Sequence, residues 1–250
     1  MRLVYLFHSG FAIETDHCVV IIDYWIDPTD TVKDLLQTGK PVYVLASHHH
    51  EDHFNREVFR WKRRRPDITY LLARDILDNL RADADEADCW FVKGDSWNDD
   101  YLRVSAFGSN DCGVSWMLEL DGKRIFHAGD LNNWYAKFLT DHYRGRKIFS
   151  FEFNREIDPV EDERCFLSEL DDIAKVTDSF DLVMFPVDGR IGNGYMLGAR
   201  QFIERFKVRQ FVPMHFVLAG FESAWRMKEY TQPAGIPFWA IGYDGDSVLL

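Results

Sequence analysis

The sequence has few of the features that mark disulfide-rich, membrane-spanning or nucleic-acid-binding proteins. Its four cysteines include no Cys-x-x-Cys pair, so their spacing predicts neither a disulfide framework nor a cysteine zinc site. No apolar run approaches the roughly 18 residues that a membrane span needs. Positive charge is scarce, with 29 lysines and arginines against 41 acidic residues. A net charge of -12 disfavours a general nucleic-acid-binding surface.

What the sequence does contain is the material for a folded domain. Hydrophobic residues make up 46% of the 250 residues and aromatic residues 15%, enough for a sizeable core. The apolar start, residues 1–8, is too short for a secretory signal and has no small-residue cleavage site. We therefore expect a cytoplasmic protein. One basic run, residues 60–65, is interpreted as a solvated helix face, with a docking patch for an anionic group as the alternative.

The hydrophobic pattern predicts two strand-rich runs, each interleaved with helices. The predicted strands are residues 3–7, 11–14, 18–22, 41–46 and 68–72 in the first run, then 90–93, 101–107, 114–120, 124–127, 181–187 and 210–214. The predicted helices are residues 31–37, 56–65, 75–81, 161–176, 198–206 and 222–230. Two sheets packed face to face with helices outside satisfy this order. A single doubly wound sheet would need more regular alternation of strand and helix.

The most informative stretch directly follows the apolar strand predicted at residues 41–46. It reads His-His-His-Glu-Asp-His over residues 48–53. Imidazole suits zinc and similar metals, and a carboxylate adds a harder ligand. A chance cluster of surface histidines is the weaker interpretation, because rigid scaffolds display functional groups on loops at strand ends. The sequence therefore predicts a divalent-metal site here.

The His-x-His-x-Asp-His spacing resembles the signature of the metallo-β-lactamase superfamily. Residues 127–130, His-Ala-Gly-Asp, are similar to a segment of its lactonase-like branch of metal-dependent hydrolases, which includes ascorbate-6-phosphate lactonase. Residues 213–215, Pro-Met-His, resemble a later segment of that branch, and residues 7–14 look like its opening hairpin. The resemblance spans nearly the whole chain. It implies an α/β protein with a four-layer αββα sandwich, in one domain over residues 1–250.

The resemblance also implies the ligands of two metal ions, either zinc or manganese. The implied ligands are His48 and His50 for the first ion, Asp52, His53 and His215 for the second, and Asp130 as a bridge or a further ligand of the second. Such ions lower the pKa of bound water and polarise a carbonyl or phosphoryl oxygen. Asp52 is implied as a catalytic residue that orients the resulting hydroxide.

One departure from the family concerns the first metal ion. The family usually supplies a third histidine to it from a loop between the first two motifs, and this chain has no histidine there. The matching loop, residues 107–111, offers Asn110 or Asp111 as oxygen ligands, and we place the missing histidine at Gly108 or Ser109. Without a substitute ligand the first site is weak, empty or filled by a harder ion such as manganese. The number of metal ions that bind, one or two, is left open.

Four further features are interpreted less directly. Arg190 follows a predicted strand and could bind an anionic substrate group, with a solvated turn residue as an equal alternative. His8 is a candidate substrate contact, although a hydrogen-bonded structural histidine is the favoured interpretation. His127 is expected to support a ligand rather than to bind the metal. The aromatic and charged segment near residues 132–178 is expected to be a cap insert.

We therefore predict a hydrolase that uses a metal-bound hydroxide on a small lactone, ester or phosphoester. The alternative is a degenerate family member that binds a metal or ligand without catalysis, which the missing histidine favours. A nuclease of the superfamily is disfavoured by the compact acidic chain, and a diiron redox relative usually needs an attached flavin domain. The expected partner is a small-molecule substrate, with no nucleic acid and no membrane. Assembly into a homo-oligomer is an expectation from the resemblance.

Overall fold

The computed structural model describes residues 1–143, 145–150 and 154–250, and its elements are numbered in chain order. In this part of the chain, most strands belong to two mixed sheets. The larger sheet contains β1 (Arg2–Phe7), β2 (Gly10–Glu14), β3 (Val19–Ile22), β4 (Val42–Ala46), β5 (Thr69–Ala73), β6 (Cys89–Phe91) and β17 (Ser247–Leu249). The smaller sheet contains β7 (Ser96–Asn98), β8 (Arg103–Phe107), β9 (Ser115–Leu120), β10 (Lys123–His127), β14 (Leu182–Pro186) and β16 (Phe211–Met214). Short pairs are formed by β11 (Ile148–Ser150) with β12 (Arg155–Ile157) and by β13 (Ser179–Phe180) with β15 (Lys207–Val208).

The helices lie between these strands in sequence. They are α1 (Thr31–Leu35), α2 (Arg74–Asp78), α3 (Pro159–Ala174), α4 (Leu197–Arg205), α5 (Phe221–Trp225) and α6 (Lys228–Thr231), with 3₁₀ segments at Arg56–Arg63, Ala136–Phe138, Asp141–Tyr143 and Gly189–Ile191. Helix α3 shows how the sequence sets such a boundary. The Asp158 side chain accepts a hydrogen bond from the Val160 N–H, and Pro159 occupies the first turn, where no N–H is needed.

The topology brings the ends of several parallel strands together. The larger sheet runs β17-β1-β2-β3-β4-β5-β6, and β3 to β6 are parallel. The smaller sheet runs β16-β14-β10-β9-β8-β7, and β10, β14 and β16 are parallel. In open α/β sheets, ligands bind beyond the carboxyl ends of such strands. The predicted metal motifs follow β4, β10 and β16, so all three lie at strand ends of this kind.

Buried aromatic residues join the two sheets and their covering helices. The rings of Phe91 in β6 and Trp116 in β9 lie 5.2 Å apart between the sheets. Helix α2 packs on β5 of the larger sheet, whereas α3 and α4 pack on β8 and β14 of the smaller sheet. The Phe202 ring of α4 stacks on Phe126 of β10 at 5.0 Å. These layers confirm the predicted αββα sandwich and exclude a single doubly wound sheet.

Two predicted helices differ from those observed. The segment predicted at residues 56–65 forms a 3₁₀ helix over Arg56–Arg63, capped by the Asn55 side chain, and Pro66 follows soon after it. The helix predicted at residues 222–230 is divided into α5 and α6. Within the part of the chain that the structure describes, no helix is both long and apolar enough to cross a membrane. Four residues of the expected cap, 144 and 151–153, lie outside the described residues, and the cap stays a prediction.

Candidate metal centre

The six predicted metal ligands lie in one region, although they come from three separate segments. Four follow β4, one follows β10 and one follows β16. They are His48, His50, Asp52, His53, Asp130 and His215. Of the two carboxylates, Asp130 is nearly inaccessible, with 6% of its side chain exposed, whereas Asp52 is 29% exposed. The tertiary structure therefore places a partly open carboxylate beside a buried one.

One group of ligand atoms corresponds to the predicted second metal ion. Nε2 of His53 lies 3.0 Å from Oδ1 of Asp130, and Nε2 of His215 lies 3.5 Å from the same oxygen. Nε2 of His215 is also 3.6 Å from Oδ2 of Asp52. His8 adds a further imidazole, with Nε2 3.2 Å from that Oδ2. Candidate ligand atoms of His8, Asp52, His53 and His215 all lie within 4.8 Å of one another, as a shared ion requires.

A second group corresponds to the predicted first metal ion. Nε2 of His48 lies 3.3 Å from Oδ2 of Asp130 and 3.1 Å from Nδ1 of His50. Asp130 thus directs one oxygen at His48 and the other at His53 and His215. This geometry suits the bridging role that the family resemblance implies for Asp130.

Several buried polar atoms at this point lack hydrogen-bonding partners. They include Nε2 of His53, Oδ1 of Asp130 and both ring nitrogens of His8. The short contacts among them do not have hydrogen-bonding geometry. A buried polar group left without a partner costs about 1–3 kcal/mol, so such a concentration requires an explanation. A divalent cation would satisfy Nε2 of His53, Nε2 of His8 and Oδ1 of Asp130 at once, and the donor set therefore fits a metal centre.

Asp23 is a functional residue that the sequence reasoning missed. It follows β3, is fully buried, and accepts a 2.7 Å hydrogen bond from Nδ1 of His53. The backbone N–H and the hydroxyl of Ser47 also donate to its carboxylate, at 2.7 and 2.6 Å. These bonds fix the ring of His53 so that Nε2 faces Asp130, which is how outer carboxylates orient metal-binding histidines. The available signal was a lone acidic residue directly after an apolar strand.

Asp188 orients the ring of His215 as Asp23 orients that of His53. It also binds Arg190, which changes the interpretation of that residue. Oδ2 of Asp188 lies 3.0 Å from Nδ1 of His215, so Nε2 of that ring faces the other ligands. Arg190 donates to the same carboxylate, through Nε at 2.8 Å and Nη2 at 2.5 Å. Arg190 is therefore not a simple solvated turn residue. Its side chain remains 44% exposed and lines the cleft above the ligands.

The two other histidines of the region have different roles. His8 was favoured as a structural histidine, and its Nε2 faces Oδ2 of Asp52 at 3.2 Å among the ligand atoms. The ring is also fully buried, so it is better placed as a ligand than as a substrate contact. His127 agrees with its expected supporting role, since Nε2 donates to the Ser9 carbonyl at 2.9 Å and Nδ1 accepts from the Gly129 N–H at 3.2 Å. These bonds hold the turn that presents Asp130.

The loop expected to replace the missing histidine is arranged differently from the prediction. A side chain at Gly108 would meet the carboxylate of Glu169, with a Cβ only 2.4 Å from Oε2, so this position faces α3 and not the ligands. The Asn110 amide bonds the backbone of Asn132 in both directions, at 2.9 and 3.2 Å. Asp111 does have a carboxylate oxygen grouped with ligand atoms of His50 and Asp130. Oxygen ligation by Asp111 thus agrees with the geometry better than ligation by Asn110.

A cleft of about 390 Å³ opens above the ligands. Its floor includes His50, Asp52, Asp130 and His215. Its walls come largely from the segment expected to be a cap and from the loop after β14, and include Trp134, Tyr135, Lys137, Phe138, Arg155, Ile157 and Arg190. Aromatic rings and three cationic side chains therefore surround a space that suits a small molecule.

Comparison with known proteins identifies the family. The family described as "Beta-lactamase superfamily domain" matches residues 2–137, more than half of the chain. The chain belongs to the metallo-β-lactamase superfamily. Assignment to its lactonase-like branch stays a prediction.

Individual relatives of this superfamily extend the comparison. A UPF0173 metal-dependent hydrolase from Korarchaeum cryptofilum (strain OPF8) is 28% identical over 155 residues, 58% of this chain and 67% of that protein. Igni18, a metallo hydrolase from Ignicoccus hospitalis KIN4/I, superposes with a TM-score of 0.66 at 18% identity, over 99% of this chain and 97% of that one. CmlA, a diiron β-hydroxylase from Streptomyces venezuelae, superposes with a TM-score of 0.55 at 14% identity, over 97% of this chain and 47% of that one. At these identities the two structures show a shared fold.

In this superfamily member, burial and neighbouring charges shift the pKa values of three candidate metal ligands. Burial alone would raise the pKa of Asp130, but His53, His215 and His48 hold that pKa well below its usual range. Burial and His48 lower the pKa of His50 to about 4, so its ring is neutral at pH 7 and free to bind metal. Burial alone would lower the pKa of His53, yet Asp130 and Asp23 raise it well above its usual value. His53 therefore carries a proton that a metal ion would displace.

Proposed function

We propose that this protein is a hydrolase that uses two divalent metal ions to cleave a small lactone, ester or phosphoester bearing an anionic group. One observation carries the proposal: two groups of ligand atoms converge on the two oxygens of Asp130 at the floor of a cleft. Both the orienting carboxylates and the unpartnered buried atoms around it are explained by ion binding. The names of the relatives, metal-dependent hydrolase and metallo hydrolase, support the same reaction class.

The chain's own residues have distinct tasks in this proposal. Divalent ions, when bound, lower the pKa of water and polarise a carbonyl or phosphoryl oxygen. Asp130 would be a ligand of both ions. Asp52 is ionised, because His8, His53 and His215 hold its pKa below the usual value against the effect of burial. Its partial exposure lets it accept a hydrogen bond from the attacking water and so aim that water at the substrate.

The walls of the cleft favour a substrate with a negative group. Three cationic side chains, those of Lys137, Arg155 and Arg190, line it in a protein whose net charge is -12. The lining also includes Asp111, Asp162 and Asp188, and Asp188 is paired with Arg190. Guanidinium groups bind carboxylate and phosphate through paired hydrogen bonds. The Trp134 indole donates to the Asp130 backbone carbonyl at 2.7 Å, and its ring lies 5.1 Å from that of His215. Trp134 thus forms a fixed apolar wall that would exclude water from the bound substrate.

Zinc is the ion that we propose, because imidazoles dominate the donor set and zinc accepts them readily. The first test is the metal content of protein purified without chelator or affinity-tag metal. Two equivalents of zinc per chain are expected. A chain that holds no zinc or manganese after reconstitution would overturn the proposal.

Activity is tested with a panel of lactones, carboxylic esters and phosphoesters, each with and without a carboxylate or phosphate substituent. We expect hydrolysis of an anionic member, strong loss in Asp52→Asn, and a raised KM with a smaller change in kcat in Lys137→Gln. His17→Ala is the control, since His17 is exposed in the turn between β2 and β3 and belongs neither to the ligand groups nor to the cleft lining. Stoichiometric metal with no turnover of any member would favour the degenerate alternative.

A further inference from the structure

Cys112 lies beside His48 and His50, the ligands of the predicted first metal ion, which lack the third histidine usual in the family. Its Sγ is 3.9 Å from both ring nitrogens of His50. Ligand atoms of Cys112, His48 and His50 all lie within 4.8 Å of one another. Around a tetrahedral zinc ion, a sulfur and a nitrogen ligand are separated by roughly 3.5 Å and two nitrogens by roughly 3.3 Å, given bonds of ~2.3 and ~2.0 Å. The 3.9 Å between Sγ and the His50 nitrogens is a few tenths of an ångström longer than the first value, and the 3.1 Å between His48 Nε2 and His50 Nδ1 is slightly shorter than the second.

The backbone fixes Cys112 in this place. The next residue, Gly113, has φ +63°, and a Cβ there would lie 2.0 Å from the Ser47 carbonyl oxygen and 2.5 Å from Cβ of His48. The Val114 N–H then donates to that same carbonyl at 2.9 Å. The loop therefore lies directly against the start of the histidine motif, at a distance that only glycine permits. Cys112 cannot move far from the histidines without breaking this contact.

The surroundings of Cys112 differ from those of a structural cysteine. Buried structural thiols usually pack in apolar surroundings, whereas Sγ here faces His50 and the carboxylate of Asp111, 3.6 Å away. All four cysteines are free thiols, so no disulfide accounts for its position. His49 and Asp75 also lie near Sγ, but they already bond each other at 2.9 Å. The fully buried His48, next to Asp130, offers the better-formed site.

We propose that Cys112 supplies a thiolate ligand to the first metal ion, in place of the histidine that the superfamily usually has there. This inference rests on the proposed metal dependence and is independent of the substrate. A thiolate is a soft ligand, so the first site would prefer zinc, cobalt or cadmium to manganese. Asp130, and Asp111 where it reaches the ion, would complete the coordination with oxygen.

Cobalt(II) substitution tests the proposal without an activity assay, because a cobalt–thiolate bond gives an intense near-ultraviolet charge-transfer absorption. We expect this absorption in the wild-type protein and in the matched control Cys165→Ser, whose side chain is exposed. It should disappear in Cys112→Ser, with affinity for one of two cobalt equivalents lower by roughly 100-fold or more. Cys112→His should hold two equivalents without the absorption. Two bound cobalt ions with no such absorption in the wild type would overturn the proposal.

A second measurement uses only the wild-type protein, so it does not depend on whether the Cys112 variants fold. Zinc should protect one thiol of the wild-type protein against alkylation, and mass spectrometry of the digested protein should identify it as Cys112. Equal alkylation of Cys112 with and without bound zinc would overturn the thiolate assignment while leaving metal dependence intact. Failure to bind any zinc or cobalt would instead overturn the proposed function and this inference together.

Discussion

Asp23 and His53 form a fully buried hydrogen-bonded pair, with 2.7 Å between Oδ2 and Nδ1. The residues are 30 positions apart and come from loops after neighbouring parallel strands. Ser47 donates twice to the same carboxylate, so Asp23 is held in place from both sides. The pair decides which nitrogen of His53 is available, and it leaves Nε2 directed at Asp130. The orientation of a ligand is thus set by a residue outside the metal motifs.

Replacing Asp23 by asparagine tests this relationship. The nearly isosteric Asp23→Asn keeps the shape but removes the charge that holds the His53 ring. We expect metal affinity to fall by roughly 10–100-fold, as is usual when such an orienting group is lost. Competition with a chelator of known affinity measures the change, with the exposed Asp16→Asn as control. Unchanged affinity in Asp23→Asn would show that the pair does not orient the ligand.

The two oxygens of Asp130 lead to a prediction about metal stoichiometry. Asp130→Ala removes an atom from both ligand groups, so we expect it to lose most of both metal equivalents and most activity. His215→Ala affects one group and should lose about one equivalent. Elemental analysis of both variants, prepared side by side, distinguishes these results. Equal losses in the two variants would contradict the bridging position of Asp130.

Asp162 gives a prediction for the dependence of stability on pH. Burial raises the pKa of this carboxyl to about 6, even though Asn110 donates to it. The folded state therefore binds a proton more tightly than the unfolded chain. The stabilising contribution of Asp162 is complete below its unfolded pKa of about 4 and is lost as the pH rises through about 6.

Asp162→Asn should remove this pH dependence, because the amide does not titrate. In metal-free protein, its free energy of unfolding relative to the wild type should increase between pH 4.5 and pH 8, by roughly 1–2 kcal/mol for a partly solvated group. Urea unfolding at the two pH values measures the difference. A constant difference between variant and wild type would show that Asp162 titrates normally in the folded protein.

Gly113 and Gly122 provide a matched pair for the loop contact. Both have positive φ, at +63° and +69°, so an alanine is strained at either position. A Cβ at Gly122 meets nothing within 4 Å, whereas one at Gly113 collides with the backbone of Ser47. Gly122→Ala should cost about 1–2 kcal/mol of stability, and Gly113→Ala at least about 3 kcal/mol. Thermal unfolding measures both, and equal losses would mean that the loop can retreat from Ser47.

Much of the fold could be predicted because its signals are local. Apolar, β-branched segments such as residues 18–22 and 41–46 match β3 and β4 closely, since strand formation depends on neighbouring residues. The 3₁₀ helix at Arg56–Arg63 was predicted only as a helix, because the same apolar spacing suits either type. The resemblance of the metal motifs to the family also implied which carboxylates and histidines would lie together.

The sequence by itself determined the sandwich, the metal motifs and the acidic character of this superfamily member. Only the tertiary structure decided which other side chains join the site. Cys112 is 62 residues from His50, and its approach depends on the space left by Gly113. Asp23 and Asp188 likewise reach their histidines across neighbouring strand ends. Hydrophobic periodicity is a local property that can be seen in the sequence. The orientation of a buried polar group depends instead on partners that are distant in the sequence and become neighbours only when the chain packs.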